Sequence, residues 1–429
     1  MADLSINMAG IRSPNPFWLA SGPPTNTGYQ ADRAFEAGWG GVVWKTIGDP
    51  IVNVNSRYGA LGYKGQRVMG LNNIELITDR PIEVNLKEIR EVKKRWPDRA
   101  VVASLMVESS REKWHDIVKR VNDTGADGIE LNFGCPHGMS ERGMGSAVGQ
   151  VPEYTCQITE WVKEAARIPV LVKLTPNVAD VVYPGLAAQR GGADGVALIN
   201  TINSVTGVNL DSLVPNPNVH GHSAHGGYCG PAVKPIALNM VGSLAHHPEF
   251  KLPISGIGGI ESWSDAAEFI AMGSTSVQVC TAAMKYGFRM VGDLIDGLSR
   301  WMDSKGFKTI ADFRGLASNR MRDWGELDLN YRIVAHIEPD RCIGCQLCYI
   351  ACEDAAHQSI RLVEGSRVPR IDEATCVGCN LCSLVCPVPH CISMQTRNGQ
   401  PVKSFKEYVA AGETPRGNYP LHEGDEAYM

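Results

Sequence analysis

VVASLMVESSREKWHDIVKRVNDTGADGIELNFG (101–134) reads as a strand, a helix and a second strand in succession. VVASLM (101–106) and GIELNFG (128–134) are short apolar runs. Between them Trp114, Ile117, Val118 and Val121 fall at i, i+3, i+4 and i+7, the spacing that puts one apolar stripe on a helix. The same alternation recurs on either side. PFWLASG (16–22) and GVVWKT (41–46) precede it, and PVLVKLTP (169–176), GVALINT (195–201), PISGIGG (253–259) and SVQVCTA (276–282) follow, with amphipathic stretches between most of them. Eight such strands predict a closed (β/α)8 TIM barrel rather than a doubly wound open sheet. No G-x-G-x-x-G follows the first strand to suggest a dinucleotide-binding domain. A barrel needs about 250 residues, so a chain of 429 has room for one smaller domain as well.

That second domain is written in cysteine. CIGCQLCYIAC (342–352) and CVGCNLCSLVCP (376–387) repeat one spacing, two residues between each of the first three cysteines and three before the fourth, which is the pattern of bacterial two-cluster ferredoxins. Three close thiolates wrap one iron–sulfur cube, and the fourth, expected at the head of a helical turn, reaches the other. The crossing assigns Cys342, Cys345, Cys348 and Cys386 to one [4Fe–4S] cluster, and Cys376, Cys379, Cys382 and Cys352 to the second. Gly344 and Gly378 suit the tight turns that aim backbone N–H groups at sulfur. Pro387 follows the last ligand, and Glu353 stands where the first repeat has no proline. The alternative is zinc, but a zinc ribbon separates its cysteine pairs by about 15–20 residues. Nine of the thirteen cysteines lie between Cys342 and Cys391, a concentration that indicates metal ligation rather than packing. Cys391 falls outside both repeats and reads as a spare thiol. The resulting division is a barrel over 1–320, a two-cluster ferredoxin-like domain over 321–395 and a polar tail over 396–429, to which no function is assigned.

With 44% hydrophobic and 20% charged residues the composition is that of an ordinary folded chain with a sizeable core. A formal net charge of −5 and the lack of a basic run interleaved with aromatics leave nucleic-acid binding without an electrostatic basis. The N-terminus carries no basic segment ahead of an apolar core, and no stretch approaches the roughly 18 apolar residues of a membrane span. The expectation is a cytoplasmic protein, where a disulfide framework is disfavoured.

In a (β/α)8 barrel chemistry sits at the C-terminal ends of the strands. Those ends supply Ala20 and Ser21; Lys45 and Thr46; Asn132 and Cys135; Lys173; Asn200 and Thr201; Gly258 and Gly259; and Cys280 and Thr281. A loop after the second strand adds Asn73 and Glu75. Glycines at the ends of the last two strands would let backbone N–H groups approach a phosphate, which implies a phosphorylated cofactor. Lys45 and Lys173 are costly near a barrel core unless paired or facing a ligand, and a cation beside a flavin stabilises its anionic reduced form. The competing reading pairs either lysine with a structural carboxylate.

LASGPPT (19–25), NNIEL (72–76), ELNFGCPHGMSERGMG (130–145), VKLTPN (172–177), NTINS (200–204), GIGGI (256–260) and QVCTA (278–282), followed by the ferredoxin repeats, resemble the catalytic subunit of NAD-dependent dihydropyrimidine dehydrogenase. The family is closely related to the FMN and iron–sulfur parts of the animal enzyme, and the resemblance covers nearly the whole chain. It implies FMN on the barrel mouth, contacted by Ala20, Ser21, Lys45, Thr46, Lys173, Gly230, Gly258, Gly259, Cys280 and Thr281. It implies a pyrimidine, uracil or thymine, bound by Asn73, Asn132, Asn200 and Thr201. Amides carry donors and acceptors without charge, as the ring's alternating N–H and carbonyl groups require. Cys135 is the expected general acid, giving a proton to ring carbon C5 while reduced FMN delivers hydride to C6, because an ordinary thiol with a pKa near 8.5 stays protonated at neutral pH. HGMSERGMG (137–145) has the composition of a closing lid, with His137 as a relay or merely a loop residue. Gly134 stands where relatives often carry Ser.

A nicotinamide coenzyme and a second flavin would need domains that this sequence does not spell. The resemblance therefore implies a separate NADH- and FAD-binding partner subunit, with a homodimeric core inside a heterotetramer. Two rivals stay open at this point: a dihydroorotate dehydrogenase, with a similar FMN barrel, and an electron-transfer subunit whose barrel is only a dock.

Overall fold

The computed structural model describes residues 2–63, 65–329 and 331–396. The polar tail beyond residue 396 lies outside them. The chain forms two compact units, one ending at Met321 and the other beginning at Arg322.

The first unit is a closed barrel of eight parallel strands, Phe17–Leu19, Gly41–Val43, Ala100–Leu105, Gly128–Asn132, Val170–Lys173, Gly195–Leu198, Ile254–Ile257 and Ser274–Val279. Each pairs with its neighbours in sequence, and the eighth returns to the first through Val277 opposite Phe17. These are the eight segments anticipated from the apolar runs. Their residues are buried on both faces, because helices coat the outside while the inward side chains fill the barrel, so the strands read as continuous apolar runs rather than alternating ones. Ser110 accepts the Lys113 amide and starts the helix Arg111–Asn122, which buries Trp114, Ile117, Val118 and Val121 against the sheet. Each side chain of that size contributes roughly 1.5–3 kcal/mol on burial.

Two additions to the barrel lacked a clear sequence signal. An N-terminal hairpin, Ile6–Met8 with Ile11–Ser13, closes the N-terminal end. Its Met8 and Ile11 are fully buried and pack over Gly195 and Gly128, the first residues of the sixth and fourth strands. At the opposite end a four-stranded antiparallel sheet is built from Ile202–Ser204, Gly226–Cys229, Gln66–Asn73 and Tyr58–Tyr63. Asn73, expected in a loop, is therefore the last residue of a strand. It lies in register with Gly227 and Tyr58, and its position is fixed by backbone pairing on both sides.

The second unit has an internal pseudo-twofold repeat. Gly344 and Gly378 share φ +72°, Gln346 and Asn380 adopt +64° and +68°, and Gln358 and His390 adopt +52° and +58°. Helices Leu347–Ala355 and Leu381–Val385 follow the first turns, and strand pairs Ile333–Ile337 with Ile392–Thr396 and Ile360–Arg361 with Arg370–Ile371 flank them. The third cysteine of each repeat, Cys348 or Cys382, lies in the first turn of its helix, and the fourth, Cys352 or Cys386, comes one turn later. This corrects the expected place of the fourth ligand: Cys352 lies inside its helix, one turn after Cys348, and Cys386 is the extended residue just past the end of the other, so neither heads a helical turn.

Candidate functional site

An open cavity of about 1150 Å³ lies at the C-terminal ends of the barrel strands. Its lining includes Ala20, Ser21, Lys45, Thr46, Asn73, Asn132, Cys135, Lys173, Asn200, Thr201, Gly230, Gly258, Gly259, Cys280 and Thr281. The strand ends thus bring every one of these expected residues to one space, although they are scattered over more than 260 positions of sequence.

The amides are tied into one chain. Asn200 donates from Nδ2 to Asn132 Oδ1 at 3.0 Å, and Asn132 donates from Nδ2 to Thr46 Oγ1 at 3.0 Å. Thr46 Oγ1 lies 2.9 Å from Ser104 Oγ and 3.1 Å from Ser21 Oγ. Asn73 donates to the Gly227 carbonyl at 3.2 Å, and the Thr201 amide donates to Asn200 Oδ1 at 2.8 Å. Such a network fixes which end of each amide is donor and which acceptor. Gly134 is part of the same construction. A Cβ there would fall 2.4 Å from that of Asn200, so a serine at this position would displace the amide.

Cys135 follows the fourth strand and is 9% exposed, against Ile77, Met106 and Met139. Burial, opposed by the His137 carbonyl contact and by Lys173, pushes its thiol up to about 11. The thiol is therefore protonated throughout the neutral range. The Cys135 carbonyl accepts the Ser146 amide at 3.0 Å, so the segment 137–145 leaves and returns close to Cys135. Within it His137 and Met139 are buried and Ser140–Arg142 form one 3-10 turn. His137 Nε2 lies 3.1 Å from the Glu75 carbonyl, Nδ1 is buried without a partner, and burial pushes the imidazole below its ordinary pKa.

Both cavity lysines face carboxylates. Lys45 Nζ is 2.5 Å from Glu75 Oε1, which also takes Arg57 at 3.1 Å, while Tyr58 donates its hydroxyl to Oε2. Burial alone would raise the Glu75 carboxyl, but Lys45, Tyr58 and Arg57 together hold it below the usual range. Lys173 Nζ lies 3.9 Å from Glu130 Oε1, and Glu130 is fully buried inside the barrel, where Gln278 donates to its other oxygen at 2.9 Å. Tyr58, Tyr228, Cys229 and Gln278 also line the cavity, and sequence reading missed them. The first three lie on the added sheet, whose strands carry no apolar period. Gln278 had a signal, a lone polar residue amid the apolar run SVQV.

The cavity fits a phosphorylated flavin. Gly258 and Gly259 adopt φ +133° and +72°, and a Cβ on Gly259 would fall 2.8 Å from the Gly230 carbonyl, so backbone rather than side chain faces the space there. Of the last two strands only the seventh is followed by glycines. After the eighth, Cys280 leads directly into the helix Thr281–Tyr286, which corrects the expectation of glycines at both ends. Buried polar atoms without partners, His137 Nδ1 and Gln278 Oε1, belong to residues of the lining.

In the second unit Cys342, Cys345, Cys348 and Cys386 line one chamber, and Cys352, Cys376, Cys379 and Cys382 line another. The grouping is the crossed one. Among the described residues no three His, Cys, Asp or Glu side chains converge on a single-ion site. Cys391 lines the first chamber as a fifth cysteine.

A dihydroorotate dehydrogenase family model matches residues 3–302, and a 4Fe-4S dicluster domain model matches residues 335–394, so an oxidoreductase barrel is joined to an iron–sulfur domain. The NAD-dependent dihydropyrimidine dehydrogenase subunit PreA of Escherichia coli is 43% identical over 369 residues, covering 86% of this chain and 89% of that protein. The chloroplastic dihydropyrimidine dehydrogenase (NADP(+)) of Arabidopsis thaliana is 43% identical over 73% of this chain and 76% of its own length. The catalytic subunit of dihydroorotate dehydrogenase B (NAD(+)) of Pyrococcus abyssi is 35% identical over 73% of this chain and 99% of its own length. The chain belongs to the dihydropyrimidine dehydrogenase family. Among its described residues no helix is long and apolar enough to cross a membrane.

Proposed function

We propose that this chain is the catalytic subunit of a cytoplasmic dihydropyrimidine dehydrogenase, reversibly reducing uracil or thymine to the 5,6-dihydropyrimidine. When bound, FMN supplies the hydride for C6, and two [4Fe–4S] clusters supply its electrons from an NADH- and FAD-binding partner subunit. The observation that carries this reading is the convergence of a protonated buried thiol, Cys135, with the linked amides of Asn132 and Asn200 in one cavity.

Asn73, Asn132, Asn200 and Thr201 orient the ring by matching its carbonyl and N–H groups. Cys135 donates the proton to C5 in reduction and takes it back in oxidation. Ala20, Ser21, Lys45, Thr46, Lys173, Gly230, Gly258, Gly259, Cys280 and Thr281 hold the flavin, and the segment 137–145 excludes water from the thiol. A neutral ring is favoured because Lys45 and Lys173 already face Glu75 and Glu130, so a ring with an added carboxylate finds both lysines compensated. Cys342, Cys345, Cys348 and Cys386 hold one cluster and Cys352, Cys376, Cys379 and Cys382 the other. The active assembly is a homodimeric core within a heterotetramer, and the barrel is the segment 1–320.

The test is anaerobic. The chain alone, loaded with FMN, is reduced chemically and offered uracil, thymine or orotate while flavin absorbance is followed. Reoxidation by uracil or thymine, slowed about 10²–10⁴-fold in Cys135→Ala, is expected for loss of a general acid. Reoxidation by orotate alone would make the chain a dihydroorotate dehydrogenase, and none by any ring would leave it an electron carrier.

A further inference from the structure

The ninth cysteine of the iron–sulfur unit is used by neither repeat, and the repeat itself says where it stands. Ser359 precedes strand Ile360–Arg361 as Cys391 precedes strand Ile392–Thr396, and each follows a residue in the left-handed region, Gln358 or His390. Both are 2% exposed. Ser359 lines the chamber of Cys352, Cys376, Cys379 and Cys382, and its amide donates to Cys352 Sγ at 3.2 Å, in contact with the crossing ligand of that chamber. Cys391 occupies the equivalent place, lining the chamber of Cys342, Cys345, Cys348 and Cys386, with its thiol 4.0 Å from the Glu338 carbonyl. One chamber thus has a hydroxyl where the other has a fifth sulfur.

A cube offers four iron sites, three of which the first turn of each repeat supplies. The fourth ligand comes from the other repeat, and in this chamber two thiols of that repeat are available. Cys386 sits past the end of a five-residue helix and is partly exposed, whereas Cys391 is buried and anchored by its backbone, its amide donating to the Val388 carbonyl at 3.2 Å and its carbonyl accepting the Glu338 amide at 2.8 Å.

We propose that Cys391 is an alternative fourth ligand to the cube held by Cys342, Cys345 and Cys348, able to replace Cys386 on the same iron. The inference rests on the two-cluster reading. In the exchange the iron–sulfur bond to Cys386 breaks and one to Cys391 forms. The Cys391 thiol proton passes to the departing Cys386 thiolate, so charge and electron count are unchanged and no oxidant is consumed.

Full-length Cys386→Ala, Cys352→Ala and Cys386→Ala/Cys391→Ala are purified anaerobically beside the wild type, mildly oxidised, and compared by EPR and iron content. Cys352→Ala and the double variant are expected to give the three-iron cluster signal, and Cys386→Ala to retain full iron without it. A three-iron signal in Cys386→Ala as strong as in the double variant overturns the exchange. The repeat supplies a second variant that does not depend on the stability of Cys386→Ala: Cys352→Ala/Ser359→Cys is expected to lose the three-iron signal of Cys352→Ala, and its persistence likewise overturns the proposal. A wild type with no reducible cube signal would instead sink the two-cluster reading, and the exchange with it.

Discussion

The two units assemble their sites in opposite ways. In the iron–sulfur unit the repeat cysteines lie within residues 342–386, and each chamber is closed by short turns and two brief helices. In the barrel the cavity draws on residues from Ala20 to Thr281, delivered by many strand ends and by the added sheet. A site made from local spacing declares its chemistry in the sequence and is sensitive to a single ligand. A site made by topology spreads its parts through the chain and depends on how well each is held in place.

The comparison is broken most sharply by Cys382→Ala, whose chamber has Ser359 rather than a reserve thiol. NADH-driven turnover with the partner subunit should fall to background, while the chemically reduced protein still reoxidises with uracil, a split that stopped-flow flavin absorbance resolves. If both reactions are lost together, the units are not chemically separable. The next effect is on pH. Burial pushes the Cys135 thiol up to about 11, so the acid form that the proposed ring reduction uses is saturated from about pH 6 to 10 and that rate should stay level. Oxidation of the dihydropyrimidine needs the thiolate, whose fraction rises tenfold per pH unit below the pKa, and its rate should follow that slope. A break near pH 8.5 in either direction would mean that burial does not govern the thiol.

Smaller effects sharpen the contrast. Gly134→Ala drives a Cβ against Asn200 at 2.4 Å. Overpacking of this kind costs about 1–3 kcal/mol, and uracil affinity should weaken about tenfold, read by titrating the oxidised flavin, with kcat changing less. Ser110→Ala removes the N-cap of Arg111–Asn122 far from the cavity. Thermal unfolding of the barrel should register a loss of about 1 kcal/mol, with KM unchanged.

Much is legible in the sequence alone. The eight strand segments follow from apolar runs, and the crossed cysteine sets follow from spacing, because both are short-range patterns. The cavity residues were found where barrel topology makes strand ends the place to look. What escaped is long-range. Tyr228 and Cys229 reach the cavity through antiparallel pairing with a segment about 150 residues earlier, to which the strand of Tyr58 also pairs, and these Gly-rich strands show no alternation. The partner of Lys45 was also hidden, since Glu75 was visible as a residue but its ion pair is a product of the added sheet. Cys391 escaped for a different reason: the repeat pattern stops at the fourth cysteine, and the likeness of Cys391 to Ser359 appears only in backbone angles.

The N-terminal hairpin that closes the base of the barrel has a consequence for synthesis. Residues 6–13 are made before every barrel strand, yet Met8 and Ile11 pack over Gly195 and Gly128, and Asp3 bridges to Thr309. The hairpin must wait for partners made more than a hundred residues later, and contacts of such separation are slow to form. A nascent barrel therefore keeps an apolar end open until nearly all its strands exist, which makes this seam the natural point for a chaperone to hold.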